Sequence, residues 1–234
     1  MQRREFLTLT ALSAVLPLTV GETAFGATKA PGEVVFELPK SHTKRLAWTV
    51  DDGASSQTVG GYVDLLERNP DLKITFFVTS MYDSWRRYGR RLRALQHAGQ
   101  VQLANHTHTH ANLTAVSAHR VRHELLSCKN FLEDEFGISG EPFYRPPYGN
   151  YNATVRSVAA ELGYTNTVMW FGTLADSGKT TSNGVLRDAK KWMTNRHIVI
   201  AHANQPAVLA DFNAILQTLQ QRQLETVTLS QAFS

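Results

Sequence analysis

The sequence predicts an α/β protein built on a mostly parallel sheet, and three observations carry that expectation. Short apolar stretches rich in β-branched residues alternate with longer segments whose apolar residues recur at helical spacing. The polar residues suited to chemistry fall just after the short stretches, where a parallel sheet gathers its reacting groups. The length of 234 residues, with 42% hydrophobic and 19% charged, is that of one ordinary globular domain. A domain of about 200 residues buries roughly 70% of its unfolded surface and needs no staples. Both a closed barrel and an open doubly wound sheet satisfy this order of elements.

Residues 1–26 read as an address rather than as part of the fold. Arg3 and Arg4 precede an apolar stretch from Phe6 to Val20 that Pro17 interrupts, too short to span a bilayer comfortably. The small residues around Gly26 and Ala27 suit cleavage by a signal peptidase. Arg-Arg-Glu-Phe-Leu before a mildly apolar run resembles a twin-arginine export signal. The expectation is therefore a protein exported in the folded state by the twin-arginine machinery, periplasmic or secreted, without a stable membrane anchor. Residues 27–43, rich in Pro, Gly and Lys, read as a leader segment, and residues 44–234 as the single working domain.

The elements then follow in order. Arg45–Val50 is a short apolar strand, and Thr58–Asn69 a helix that Pro70 stops. Ile74–Thr79, β-branched and aromatic, is a buried strand. Arg86–His97 is a basic helix closed by Gly99, and Val101–Ala104 a third strand. Ser117–Phe136 is a helix with Val121, Leu125, Cys128 and Leu132 on one stripe, Ser117 as its cap and Gly137 as its terminator. Phe143-Tyr144 is a short strand, Asn152–Leu162 a helix ended by Gly163, and Thr165–Phe171 a strand. Val185–Met193 (helix), Ile198–Ala201 (strand), Val208–Leu219 (helix) and Glu225–Leu229 (strand) complete the chain.

Several functions are excluded. A single cysteine, Cys128, allows neither a disulfide framework nor a Cys-rich zinc module, and its place on an apolar stripe makes it a core residue. No Gly-x-Gly-x-x-Gly turn follows the first strand, so no dinucleotide site is expected. The net charge of +4 owes much to arginines at 86, 87, 90, 91 and 93, which fit a solvated helix face with snorkelling side chains. Without interleaved aromatics or a known reading module, they do not indicate nucleic acid.

Five strand ends carry chemistry: Asp51-Asp52-Gly53, the run His106-Thr107-His108-Thr109-His110, Arg145 with Pro147-Tyr148-Gly149, Asp176, and His202. His106 and His110, four apart, face the same way on a helical turn, as zinc-binding pairs do. Two imidazoles and one carboxylate leave a coordination position open for water, the arrangement of a catalytic zinc, and argue against magnesium or calcium. His108 points elsewhere on such a turn. Of the adjacent acids Asp51 and Asp52, one can bind the metal while the other faces the substrate as general base. Arg145 is the counter-charge that keeps a buried carboxylate ionised, and His202 is a candidate general acid.

Together these motifs resemble the polysaccharide deacetylase family (carbohydrate esterase family 4, the NodB-homology domain). The resemblance runs from about Arg45 to Phe233. It implies a distorted (β/α) barrel and metal-dependent removal of acetyl groups from sugar polymers such as chitin, peptidoglycan or xylan. By motif, Asp51 resembles the catalytic base, Asp52, His106 and His110 the ligands of one divalent ion, most readily zinc, Arg145 the residue orienting the base, and His202 the general acid. Tyr148 resembles the donor of a backbone N–H to the oxyanion, and Asp176 the residue tuning His202. The chain departs from the family pattern at Val50, where an aromatic is common. It departs again at Thr173 and Ser177, which replace an acid and a groove-lining Trp. Two other activities fit the same residues: hydrolysis of a small cyclic amide, and sugar binding without catalysis.

Overall fold

The computed structural model of the protein describes residues 30–178 and 180–234, so the expected export signal over residues 1–26 lies outside the described residues. The elements run β1 (Val34–Val35), β2 (Arg45–Asp52), α1 (Ser56–Arg68), β3 (Ile74–Val78), α2 (Ser84–Arg87), α3 (Gly89–His97) and β4 (Val101–Asn105). After them come α4 (Ala118–Phe136), β5 (Phe143–Tyr144), α5 (Ala153–Glu161), β6 (Asn166–Val168), β7 (Gly172–Thr173) and α6 (Ser182–Trp192). The last are β8 (Ile198–His202), α7 (Phe212–Gln221), β9 (Glu225–Thr226) and α8 (Leu229–Phe233). The strands pair in the order β1-β6-β5-β4-β3-β2-β8-β7, with β9 beside the start of β2, and every one of these pairings is parallel. The sheet curls into a distorted (β/α) barrel with helices outside, which settles the choice between barrel and open sheet.

Period-two alternation on β2 sorts the core into layers. Leu46, Trp48 and Val50 face outward into a cluster with Val59, Tyr62, Phe76 and Phe212, sealed by edge-on ring contacts of Trp48 with Tyr62 and Phe212. Ala47 faces inward and packs with Phe77, Ala104, Phe143, Val168 and Ile198 in the barrel interior. Small alanines beside single large rings let a narrow barrel fill.

Four local expectations change. The segment read as a leader is part of the barrel: Val34 and Val35 pair with Thr167 and Val168, and Glu37 bridges His197 at the start of β8. Gly32, Pro31 and Lys40 gave this stretch the composition of a linker and masked two pairing residues. The strand expected over Thr165–Phe171 ends at Val168, and the chain re-enters the sheet as β7, so Asp176 follows β7 rather than that strand. The basic helix breaks at Tyr88 into α2 and α3, and Arg91 and Arg93 pair with Asp64, Glu67 and Glu135 at the surface. The last strand stops at Thr226, and Thr228 starts α8 with a reciprocal capping box to Gln231.

Among the described residues no helix is long and apolar enough to cross a membrane. Cys128 is fully buried, its thiol donates to the Val78 carbonyl, and burial pushes its pKa up to about 12.

Leu38 lies 1% exposed against the barrel interior. Leu38→Ala should lower unfolding free energy by about 2–5 kcal/mol, the usual cost of truncating a buried leucine. Denaturant unfolding of the two proteins measures this; an unchanged midpoint would mean the segment is a dispensable leader.

Candidate metal centre and active site

Register brings the reactive residues to one level. Asp51 lies opposite Phe77 and His202, Asp52 opposite Val78, and Asn105 opposite both Val78 and Tyr144. The residues leaving these strands, His106 and Arg145, therefore emerge side by side at the barrel mouth. Asp51 shares the inward parity of Ala47 and Thr49, whereas simple alternation would turn Asp52 toward the helices. The backbone corrects this: Asp52 adopts φ 75°, and its carboxylate meets the imidazoles instead. The turn is fixed from outside, since Trp85 donates its indole N–H to the Asp52 carbonyl at 3.0 Å and Ser84 its hydroxyl to the Gly53 carbonyl at 2.5 Å. Gly53 itself is at φ 102°, and a Cβ there would come within 2.4 Å of the Trp85 ring.

Asp52 Oδ1 lies 3.3 Å from His106 Nε2 and 3.1 Å from His110 Nε2. Among the described residues, Asp52, His106 and His110 form a group whose donor atoms lie within 4.8 Å of one another. His106 Nδ1 donates to the Arg145 carbonyl at 2.7 Å, which fixes the tautomer and turns the Nε2 lone pair toward Asp52. Asn204 donates its amide to Asp52 Oδ2 at 2.5 Å, leaving Oδ1 to the imidazoles. That Oδ1 is buried without a hydrogen-bond partner. A buried acceptor with no donor, facing two imidazole nitrogens, is the environment a divalent cation completes. Two nitrogens and one carboxylate oxygen fit zinc and related transition metals. Burial by itself would raise the Asp52 pKa, but His106 and His110 hold the carboxyl well below the usual carboxylate range.

Asp51 Oδ2 lies 3.6 Å from His106 Nε2, on the same side as Asp52. Its Oδ1 accepts from Arg145 Nη1 at 2.6 Å. Arg145 is fully buried, and three more of its five N–H groups go to Thr49 Oγ1 and to the carbonyls of Val168 and Met169. Its guanidinium lies over the Phe77 ring, 4.1 Å from the centroid. The acid missing at Thr173 is thus not needed to satisfy Arg145. Thr173 Oγ1 instead accepts the Ala175 N–H, supporting a left-handed residue at φ 52°.

Across the mouth, Asp176 accepts from the His202 backbone N–H at 3.1 Å and holds His202 Nδ1 at 3.0 Å. Burial would lower the His202 pKa, but the hydrogen bond to Asp176 and the charges of Asp51, Asp176 and Asp52 raise it overall. With Nδ1 engaged, Nε2 is the atom left for the cavity. Tyr148, 65% exposed, packs edge-on against His110 at 4.7 Å. The cavity of about 490 Å³ that these groups share is also lined by Trp170, Thr173, Ser177 and Ile200. His108 turns away, its Nδ1 against Ser80 Oγ at 2.9 Å.

All eight residues singled out from the sequence thus stand around one mouth, with Asp51, Asp52, His106, His110, Tyr148 and His202 lining the cavity and Arg145 and Asp176 beneath them. Sequence reasoning missed Asn204, Trp170, Trp85 and Glu124. Asn204 lies two residues past His202, where a rule to inspect the whole strand-end loop finds it. Nothing local marks Trp85, whereas Glu124 is marked by a charge on the apolar stripe of Val121, Leu125 and Cys128.

The family model "Polysaccharide deacetylase" matches residues 39–167. Peptidoglycan-N-acetylglucosamine deacetylase PgdA of Listeria monocytogenes is 30% identical over 198 residues, which cover 84% of this chain but 41% of the relative. Chitin deacetylase 1 of Cryptococcus neoformans var. grubii is 32% identical over 151 residues, covering 64% of this chain and 29% of the relative. This chain spans less than half the length of either. Among solved structures, the family 4 carbohydrate esterase from Streptomyces lividans in complex with acetate superposes with a TM-score of 0.68 at 27% identity, over 78% of this chain and 91% of that one.

Removing Arg145 leaves Asp51 charged and buried without a partner. In metal-free protein, Arg145→Met should cost about 3–5 kcal/mol of stability, and adding Asp51→Asn should recover part of it. Denaturant titration of the wild type, both single variants and the double variant reads this cycle; equal stability of Arg145→Met and wild type contradicts the pairing.

Proposed function

The chain belongs to the polysaccharide deacetylase family, and from that premise we propose that it is a metal-dependent hydrolase that removes acetyl groups from a cell-envelope or extracellular polysaccharide. The observation that carries the reading is the three-donor group of Asp52, His106 and His110 with a second carboxylate, Asp51, 3.6 Å from one of its nitrogens. Asp52 and the two imidazoles would hold one divalent ion, zinc in the first place. That ion, when bound, polarises the acetyl carbonyl and lowers the pKa of a water to about 7.

The protein's own groups then divide the proton work. Asp51 accepts a proton from the attacking water. Arg145 occupies its Oδ1 and leaves Oδ2 on the side of the imidazoles, so the base is both kept charged and aimed. His202 hands a proton to the departing nitrogen or oxygen, and Asp176 presents it by engaging Nδ1. An amide leaving group needs that proton more than an ester does, so His202 matters most for N-acetyl substrates. Tyr148 supplies its backbone N–H to the developing oxyanion, an interaction worth roughly 10²–10³-fold in rate.

The named activities of the relatives point to acetylated amino-sugar polymers as substrate, with O-acetylated polymers as the neighbouring class. Such polymers lie outside the cytoplasm, which accords with residues 1–26 being an export signal and with the twin-arginine machinery carrying a protein already folded and loaded. Residues 44–234 then form the catalytic domain, completed by β1 from the preceding segment.

Acetate release from chitin oligomers, peptidoglycan and acetylxylan, with and without a chelator, tests the reading. Metal-dependent release from one of the polymers is expected; hydrolysis of small cyclic amides in their place, or none at all, overturns it. Asp51→Asn should retain its ion by elemental analysis and lose at least a hundredfold in kcat, within the usual range for a lost general base. His106→Ala should lose the ion itself.

The pH profile has a definite sign. If His202 acts protonated, activity falls as pH rises through its raised pKa. Asp176→Asn removes the leading cause of that rise, so the alkaline limb of kcat/KM should move to lower pH, toward the ordinary histidine value. A limb that stays in place would assign it to another group.

A further inference from the structure

We propose that Glu124 is a positioning residue that holds the loop between His106 and His110 in the shape that aims both imidazoles at one point. The inference rests on the metal-site reading above.

Glu124 lies on the inner face of α4 beside Leu125 and Cys128, where an amphipathic helix calls for an apolar side chain. It is 0% exposed. A buried carboxylate costs several kcal/mol unless charges and hydrogen bonds surround it. Here they do, and three of the four donors belong to the ligand loop. Oε2 accepts the backbone N–H of His108 at 3.1 Å and of Thr109 at 2.8 Å, and Oε1 accepts the Thr109 hydroxyl at 2.7 Å. Arg120, one turn before on the helix, closes the set at 2.7 Å from Oε1.

The loop needs an outside anchor because its backbone is unfavourable by itself. Thr107 and His110, neither of them glycine, sit at φ 74° and 60°. Left-handed conformations of such residues cost of order 1–3 kcal/mol each and persist only where the surroundings over-determine them. Inside the loop, Thr107 N–H donates to Asn105 Oδ1 and His110 N–H to Thr107 Oγ1. Asn105 in turn donates to the Leu125 carbonyl. One turn of α4 therefore grips the loop twice, at its base through Leu125 and at its crest through Glu124. The crest lies midway between the two ligands, so the anchor acts on their spacing without touching either imidazole.

Only a carboxylate fits this role. Two adjacent N–H donors and a hydroxyl, with a guanidinium behind, require two acceptor oxygens. A glutamine of the same size offers one, and turns an N–H toward a donor on its other side.

The test measures metal affinity rather than turnover. Full-length protein is stripped with a chelator, checked for a folded state by circular dichroism, and titrated with Co²⁺ or with Zn²⁺ against a chromophoric competitor. Wild type should take one ion and His106→Ala none. Glu124→Gln should bind roughly 10–100-fold more weakly, the range found for groups that orient a ligand from behind. Thr109→Val, which deletes one of the loop's three donors at nearly constant volume, should fall between them. A merely structural Glu124 lowers the melting temperature of the stripped protein and leaves Kd unchanged, so Kd for folded Glu124→Gln within about twofold of wild type overturns the proposal. Should Glu124→Gln not fold, an unchanged Kd for Thr109→Val overturns it in the same way. If wild type takes no ion, the metal-site reading fails first and this one with it, an outcome separate from selective loss at Glu124.

Discussion

Asp51 is a buried carboxylate, and the arrangement of this barrel mouth depends on the Arg145 guanidinium that pairs with it from beneath. Burial lowers the pKa of Arg145 and the charge of Asp51 opposes that fall, so the ion pair offsets the cost of burying the guanidinium. The pair is braced by a hydroxyl and two carbonyls, which with Asp51 engage four of the five N–H groups of Arg145. Its own carbonyl fixes the tautomer of His106. A single residue thus pairs with the buried Asp51 carboxylate and, through its backbone, orients the His106 ring.

The barrel supplies what that pair cannot, a common height. Parallel strands in register deliver Asp51, His106, Arg145 and His202 to one level because Asp51 is the next-to-last residue of its strand, His202 the last of its own, and His106 and Arg145 the first beyond theirs. Backbone strain then makes the final adjustment. Among the described residues, five of the seven non-glycine residues at positive φ, Asp52, Thr107, His110, Tyr148 and Ala175, belong to the segments around the mouth. Strain concentrated at a site and offset by rigid surroundings is a mark of selection for geometry rather than for stability. Trp85, Glu124 and Asn204 are the surroundings in question, each holding a strained or charged segment from a different element.

Most of this was legible in the sequence, for identifiable reasons. Strand ends are legible because apolar runs stop abruptly at polar residues, and β2, β4 and β8 each ran one or two residues further than their apolar stretch because Asp52, Asn105 and His202 are themselves paired. The cap at Ser117 and the terminator Gly137 were readable because both act within four residues. What failed was non-local or short. β1 has two residues and its partner lies at 167 and 168, and β7 is equally brief. α8 announced itself through Thr228 and Gln231, a spacing that the adjoining strand pattern concealed. Of the site, the residues proposed as ligands and base, with Arg145, were visible in contiguous motifs, while Trp85 and Glu124 hold them from helices and Asn204 from the loop after β8.

The segment from Thr173 to Ser177, where the chain departs from the family pattern, shows what can change without disturbing this arrangement. Asp51, Thr49, Val168 and Met169 already engage four of the five N–H groups of Arg145, so its pairing with Asp51 stands with a threonine at position 173. The hydroxyl is spent locally on Ala175, which shapes the turn leading to Asp176. Serine at 177 is different in kind, because its side chain faces the cavity and a bulky ring is replaced by a small polar group. The apolar wall that remains is Trp170 and Ile200, the former also within 5.7 Å of the Arg145 guanidinium. The charged network joins residues 51 and 145 and residues 176 and 202, while residues 170, 177 and 200 line the cavity beside it. The two sets adjoin at Trp170, beside the Arg145 guanidinium, and at Ser177, next to Asp176 in the chain, so a change in the cavity wall reaches the charged network through these two residues.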